Sequence, residues 1–448
     1  MADPESGPMP QHVAIIGAGW AGLAAAVALS NRGMRVTLFE ASRNLGGRAR
    51  RVTMDGKDLD NGQHILIGAY RDTLNMMRTV GVDPDKALTR LPLELRYADG
   101  FHLCAPELPA PLHLAVALAT TKGLTWAERW QAVRFMGALR AAHFRLEPDL
   151  TVSALLQRKR QGAAMCKYLW EPLCISALNT PPERASASVF AAVLRDSLAG
   201  SRTDSDLLIP RTDLGTLLPE PAARFIEQHG GTIRLGTAVR NIRESDGRFR
   251  LDEDASEYTQ VIVATGPQHA AALLADERLE VQRAQVEAMA WQPIVTCYLH
   301  YPETVHLPCP MLGFAGGIVQ WLFDRGQLGG PKGLLAAVIS AEGMHREFDQ
   351  DELVQRVHRE IAATQFSAMP APAPEWSRVI AEKRATYSCD AGMQRPAMET
   401  PVPGLLLAGD YIDCDYPGTL ETAVRQGLAA AQHIVRPTYK GTKEKGRP

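Results

Sequence analysis

Two kinds of apolar pattern alternate along this chain. One is the short unbroken run: Val13-Ala14-Ile15-Ile16, Val36-Thr37-Leu38-Phe39, Val261-Ile262-Val263-Ala264 and Leu405-Leu406-Leu407-Ala408. Runs of strand length that are apolar on both faces suit a buried parallel sheet. The other is the longer stretch with helical spacing, which predicts helices between the first two runs and over 185–198, 219–228, 349–364 and 416–435. Gly230-Gly231 stops the helix before it, and Asp246-Gly247 turns a hairpin. Residues 232–235, 238–242, 294–299, 318–323 and 334–340 read as further strands. The pattern predicts an α/β chain, with a Rossmann-like domain and a second α+β domain.

The turn after the first run carries the clearest chemistry. It reads Gly17-Ala18-Gly19-Trp20-Ala21-Gly22, opens directly into a helix, and is followed at the end of the next strand by Glu40. This is the spacing of a dinucleotide-binding βαβ unit. Gly17 permits the tight turn, Gly19 lets backbone approach a pyrophosphate at the helix N-terminus, and Gly22 lets helix and strand pack closely. Glu40 is placed to accept the hydroxyls of the adenosine ribose. No second Gly-x-Gly-x-x-Gly follows a strand, so electrons must come from a substrate or from an external donor.

Length and charge narrow the picture. At 448 residues the chain exceeds one ordinary core, and two domains are expected. A net charge of -2 lacks the basic footprint of a nucleic-acid binder. Seven cysteines, odd in number and without a C-x-x-C, read as reduced thiols in a cytoplasmic setting. Met1 to Gln11 is polar, unlike a signal peptide, and reads as a loose tail. No run reaches the length of a membrane span.

Three stretches leave alternatives open. In Asp60-Asn61-Gly62-Gln63-His64, the turn presents polar groups at one point, and His64 is either a chemical residue or an ordinary hydrogen-bonded loop histidine. Residues 106–145 combine prolines, an apolar run and a capping box at Thr125-Trp126-Ala127-Glu128, followed by tryptophans, aliphatics and arginines. That helix suits either a membrane interface or a core with a basic edge. The oily segment 168–182 either lines a cavity or fills a core.

Several motifs carry a family likeness: the first glycine turn, Gly46-Gly47-Arg48, Asp60-Asn61-Gly62-Gln63-His64, Leu169-Trp170-Glu171-Pro172-Leu173, Gln320-Trp321-Leu322-Phe323-Asp324-Arg325-Gly326, and Gly409-Asp410 with Tyr416-Pro417-Gly418-Thr419-Leu420-Glu421. From about Val13 to Val435 the chain resembles the hydroxysqualene dehydroxylases (squalene-associated FAD-dependent desaturases), within the flavin amine oxidase and phytoene desaturase superfamily. The Trp-Glu-Pro-Leu and Gln-Trp stretches are the narrower marks. Gly418 and Thr422 depart from the usual alanine and glycine, and a bulkier Thr422 is expected to press on the ring.

The resemblance implies non-covalent FAD held by residues 17–22, Glu40, Gly47, Arg48, Gly62, Gln63, His64, the backbone of Val239, Gly409, Asp410, Thr419 and Leu420. It also implies reductive removal of the hydroxyl from a C30 isoprenoid, with His64 the first candidate for the acid and Asp60 and Asp413 behind it. The nearest rival is an isoprenoid or carotenoid desaturase, with an amine oxidase and a non-catalytic prenyl-lipid carrier more remote. On this basis the FAD domain is expected at 10–95, 206–285 and 395–437. A helical substrate- and membrane-facing region is expected at 96–205, a substrate domain at 286–394 and a tail at 438–448. Peripheral contact with the inner face of the cytoplasmic membrane is expected through 106–145.

Overall fold

The computed structural model describes residues 11–252, 254–364 and 372–435. The expected tails at the two ends, apart from Gln11, lie outside the described residues. The four apolar runs form one parallel sheet with a fifth strand, in the order Thr232–Arg234, Arg35–Phe39, His12–Ile16, Gln260–Val263 and Leu405–Leu407. Strands from three distant parts of the chain therefore lie side by side. Each central strand is buried on both faces, which is why its sequence does not alternate.

The helix Trp20–Ser30 is buried over all but one of its residues, between the sheet and the helices Pro219–Gln228 and Leu420–Val435. Glycines set how close these elements lie. A Cβ on Gly22 would sit 1.9 Å from the carbonyl oxygen of Gly17, and one on Gly427 would sit 2.1 Å from that of Ala21. Glu421, fully buried, accepts bonds from the backbone N–H groups of Asp72 and Thr73 and from the Thr73 hydroxyl. It thereby joins the last helix to the start of the helix Arg71–Thr79.

The second five-stranded sheet is antiparallel, ordered Met311–Gly313, Trp321–Asp324, Leu334–Ser340, Trp291–His300 and Trp376–Tyr387. Its side chains alternate as strand geometry requires. Val295, Cys297, Leu299, Leu335 and Ala337 pack under the helix Gln350–Ala362, whose Leu353, Val357 and Ile361 face them. Ile294, Trp321, Phe323, Val338 and Ile380 turn the other way, toward a cavity. Helices Glu171–Leu178 and Ala187–Leu198 close the remaining side of the cavity.

Two local expectations change. Residues 238–242 do not form a strand up to Ile242, because the carboxylate of Asp252 accepts from the backbone N–H groups of Arg240 and Asn241. The ladder begins only at Ile242, pairing Ile242–Ser245 with Arg248–Leu251. The strand expected over 318–323 begins only at Trp321 and runs to Asp324, because the carboxylate of Glu360 accepts from the backbone N–H groups of Ile318 and Val319.

Gly427→Ala should force the Trp20–Ser30 and Leu420–Val435 helices apart and cost about 1–3 kcal/mol, read as a lower melting temperature. Gly137→Ala, where a Cβ meets nothing within 4 Å, should be neutral or stabilising. Equal melting temperatures for the two variants would contradict the packing argument.

Candidate functional site

A cavity of about 1040 Å³ runs from the Gly17–Gly19 turn to the inner face of the antiparallel sheet. That exceeds the roughly 300–1,000 Å³ of an ordinary small-molecule pocket.

Its first end is built from backbone. Gly17 has a φ of 107°, and a Cβ there would lie 2.7 Å from the Ala264 carbonyl oxygen. A Cβ on Gly19 would meet nothing within 4 Å. Gly19 also begins the Trp20–Ser30 helix without any side-chain cap, so N–H groups at the positive end of the helix are free to meet an anion. Gly47 is laid against this turn, its own Cβ position 3.2 Å from the Cα of Gly19, and Gly46 N–H donates to the Ala18 carbonyl at 2.8 Å. Glu40 accepts from Ala18 N–H at 2.7 Å and from Ser42 N–H at 2.8 Å, one bond to each oxygen. Each oxygen keeps a lone pair for a hydroxyl.

Thr265 Oγ1 and Gln268 Oε1 line the same end, are buried, and find no partner among the described residues. Val239 lies alongside. An uncapped helix start, open glycine backbone, a positioned carboxylate and unpaired buried polar atoms are a donor and acceptor set that fits a dinucleotide.

The middle of the cavity is closed by a long-range clamp. Arg48 donates to Asp410 Oδ1 at 2.5 Å and to the Ala385 carbonyl at 2.7 Å. Asn61 Nδ2 donates back to the Arg48 carbonyl at 2.9 Å. Gly62, with a φ of 97°, turns the chain so that Gln63 and His64 face the cavity. Arg325 fixes Gln63 by donating to its Oε1 at 3.1 Å and to the Pro210 carbonyl. Gly409, Asp410, Thr419 and Leu420 line the opposite wall. Thr419 Oγ1 accepts from Thr422 N–H and so caps the last helix.

Gly418 has a reason in the packing, since a Cβ there would lie 3.0 Å from the Tyr387 ring. Thr422 does not press on the cavity as expected: its hydroxyl donates to the Pro417 carbonyl at 2.6 Å and it is buried away from the lining.

The far end is oily. Leu169, Pro172 and Leu173 from the 168–182 segment meet Trp321, Phe323 and Ile380 of the sheet. Residues of the two narrower sequence motifs thus share one wall, and just beyond the first of them Ser176 Oγ accepts from Trp321 Nε1 at 3.0 Å.

Of the three candidate acids, only His64 lines the cavity. Its Nδ1 lies 2.9 Å from the Gly62 carbonyl, which can only accept, so Nδ1 carries the proton and Nε2 is left as an acceptor. Burial lowers its pKa, with Arg48 adding to the effect against the Gly62 hydrogen bond. Asp60 is turned away from the cavity: its Oδ1 accepts from Leu214 N–H at 2.8 Å, and burial pushes its pKa up to about 6. Asp413 is exposed and contributes only its backbone N–H, to the Pro396 carbonyl. Neither acidic candidate lines the cavity, because the strand end that carries Asp60 and the loop that carries Asp413 both present other residues to it.

Besides Glu40 and Asp410, the carboxylate that lines the cavity is Glu382, which accepts from Asn61 Nδ2 at 3.3 Å. Sequence reading missed Glu382, Thr265, Gln268 and Arg325 as site residues. Of these, only Arg325 stood in a stretch the sequence had singled out, the Gln320 to Gly326 motif. Ala18 and Gly22 stand behind the lining, in the roles of bonding Glu40 and packing on Gly17. None of the seven cysteines lines the cavity.

A family profile described as flavin containing amine oxidoreductase matches residues 20–435. The chain is 27% identical to a hydroxysqualene dehydroxylase of Sinorhizobium fredii, with 94% of this chain and 98% of the relative covered. It is 27% identical to that of Rhodopseudomonas palustris (95% and 99%) and 23% identical to a zeta-carotene desaturase of Solanum lycopersicum (95% and 82%). Among solved structures it matches cyclohexylamine oxidase from Brevibacterium oxydans with a TM-score of 0.68 at 19% identity, covering 95% of this chain and 98% of the other. A triple mutant of putrescine oxidase matches with a TM-score of 0.70 at 19% identity and the same coverage. These two structures show the fold.

The raised pKa of Asp60 has a sign. The folded chain holds an extra proton on Asp60 between its ordinary value of 3.8 and about 6, so stability falls as pH rises through that window and the full penalty stands above it. Asp60→Asn keeps an acceptor for Leu214 N–H and removes the charge. It should melt higher than wild type at neutral pH, by up to about 3 kcal/mol, and lose that advantage near pH 4. A variant less stable at neutral pH would show that Asp60 is held as a favourable anion.

Proposed function

The chain belongs to the family of flavin-containing amine oxidoreductases, which implies FAD, and from that premise we propose that it holds FAD non-covalently and reduces hydroxysqualene to squalene and water. The observation that carries this reading is one cavity joining a dinucleotide-type glycine turn to an apolar chamber walled by the two narrower motifs. The alignment with hydroxysqualene dehydroxylases over nearly the whole length of both chains supports it.

The 17–22 turn with Gly47 and Arg48 would hold the pyrophosphate, Glu40 the adenosine ribose, and the backbone of Val239 the adenine. Asp410, beside Gly409, would take the ribityl oxygens. Gly62, Gln63 and His64 would border the ring, and Thr419 and Leu420 at the helix start would meet its pyrimidine edge with a positive dipole. Burial keeps the thiols of Cys389 and Cys297 protonated, with pKa values pushed up to about 12, and no cysteine reaches the cavity to form a covalent link.

When bound in its reduced form, FAD supplies the hydride. The chain's own residues handle the leaving group and exclude water. In the reaction the allylic C–O bond breaks, a proton joins the oxygen so that it departs as water, and a C–H bond forms. A hydroxyl leaves poorly unless it is protonated or hydrogen-bonded. The apolar walls keep water from trapping the allylic cation and bring the hydrocarbon chain close to His64 and Glu382. Neutral His64 offers Nε2 as an acceptor, so it acts as an acid only after taking up a proton. Two electrons per turnover come from an external donor.

Purified protein should show flavin absorbance that denaturation releases, and Glu40→Ala should hold FAD at least about tenfold more weakly, by loss of hydrogen bonds to a charged group. Colourless protein that FAD cannot reconstitute would end the reading. Enzyme photoreduced without oxygen should convert one equivalent of hydroxysqualene to squalene. Oxidised enzyme that instead adds double bonds to a C30 or C40 polyene would assign it to the desaturases. If His64 is the acid, the single-turnover rate should climb as pH falls below 6.5 toward the lowered pKa of His64, and His64→Ala should flatten that rise while retaining FAD. A wild-type profile flat with pH would remove His64 from the role.

A further inference from the structure

The helix Trp126–Ala141 is apolar on two opposite faces. Ala132, Phe135 and Leu139 face inward, and Phe135 meets Trp170 edge to face with ring centres 5.1 Å apart. On the other side, Trp126, Trp130 and Val133 are exposed by 76%, 63% and 47% and follow one another at helical spacing. The preceding helix adds Leu112, 55% exposed. Exposed tryptophans in sequence register are not needed for the core, which the opposite face already supplies.

The charge around this strip is mostly basic. Over residues 112–140 the basic side chains are Lys122, Arg129, Arg134 and Arg140, and the sole acid is Glu128. Glu128 is occupied, bonded to Thr125 in a capping box and to the Ala164 N–H. Arg129 lies over the Trp126 ring at 4.8 Å. Arg134 and Arg129 fall on opposite flanks of the strip by helical spacing. The exposed run Arg158-Lys159-Arg160 is held next to this helix, since Gln161 donates to the Gln131 carbonyl. This basic concentration stands on a chain whose net charge is -2.

We propose that the outer face of the helix Trp126–Ala141, with the start of the helix before it, docks on an anionic lipid bilayer, with Trp126, Trp130 and Leu112 entering the interface and the flanking arginines and lysine meeting the headgroups. An in-plane helix fits because no described helix is long and apolar enough to cross a membrane. Charge complementarity selects lipid over a second copy of this chain, which would oppose arginines to arginines across a two-fold axis. The docking face also lies one layer from the apolar chamber: Phe135 packs on Trp170, and its neighbours Leu169 and Leu173 line the cavity. The proposal stands on the exposed surface and does not depend on the identity of the substrate.

The test is flotation of the full chain with FAD on two vesicle types, phosphatidylcholine alone and phosphatidylcholine with phosphatidylglycerol. Binding should require the anionic lipid and weaken as salt is raised. Trp126→Ser with Trp130→Ser should weaken it at least about tenfold by removing the apolar anchors, and Arg134→Glu with Arg140→Glu should do the same at low salt only. Unchanged flavin content and circular dichroism would show that both variants fold. Wild-type protein that fails to float at low salt, or a folded tryptophan variant that floats as well as wild type, overturns the proposal. So does loss of vesicle binding that merely accompanies a change from dimer to monomer in sedimentation velocity, which would assign the face to a second copy.

Discussion

The contact between Arg48 and Asp410 spans 362 positions of sequence, and the cavity depends on it. It ties the loop after the second strand of the parallel sheet to the turn after the last strand. Two charges in a half-buried place do not hold together by Coulomb attraction alone, because desolvation works against them. Here the arginine also donates to the Ala385 carbonyl, and its own carbonyl accepts from Asn61. The pair thus joins four segments: the glycine-arginine turn, the Asn61–His64 loop, the end of the strand Trp376–Tyr387 and the turn after the strand Leu405–Leu407. Both sheets meet at this point, and a cavity shared between them follows.

Around the clamp, the two ends of the cavity differ in kind. The dinucleotide end is shaped by backbone, with glycines where any Cβ would collide or obstruct, and by a helix start left without a side-chain cap. The other end is shaped by alternate side chains of an antiparallel sheet, whose opposite face is sealed under the Gln350–Ala362 helix. A site for polar, extended binding therefore opens into a site lined by apolar side chains.

What could be read from sequence was what local geometry determines. The βαβ spacing, the capping box at Thr125, the Asp246-Gly247 hairpin and the helix 219–228 each depend on neighbours within a few residues, and each is present. The candidate acids depend on direction, which local pattern does not carry. Asp60 points to Leu214, 154 positions away, and Asp413 points to solvent. Glu382 is one of several charges along the strand Trp376–Tyr387, and its contact with Asn61, 321 positions away, is what sets it apart. The 126–141 helix was legible as apolar but not as two-faced, because knowing that Phe135 is inside and Trp130 outside requires the position of Trp170. Residues 238–242 have strand-like composition, and a single distant carboxylate, Asp252, diverts their backbone.

The central claim is the direction of electron flow, from cofactor to an allylic carbon of the substrate. The most direct measurement is the isotope content of the product after one anaerobic turnover of reduced enzyme in deuterated water, since the transferred hydrogen exchanges with solvent before it moves. Squalene carrying one deuterium on its carbon skeleton is the predicted result. Squalene free of deuterium, or a product with more double bonds than its substrate, would contradict the account.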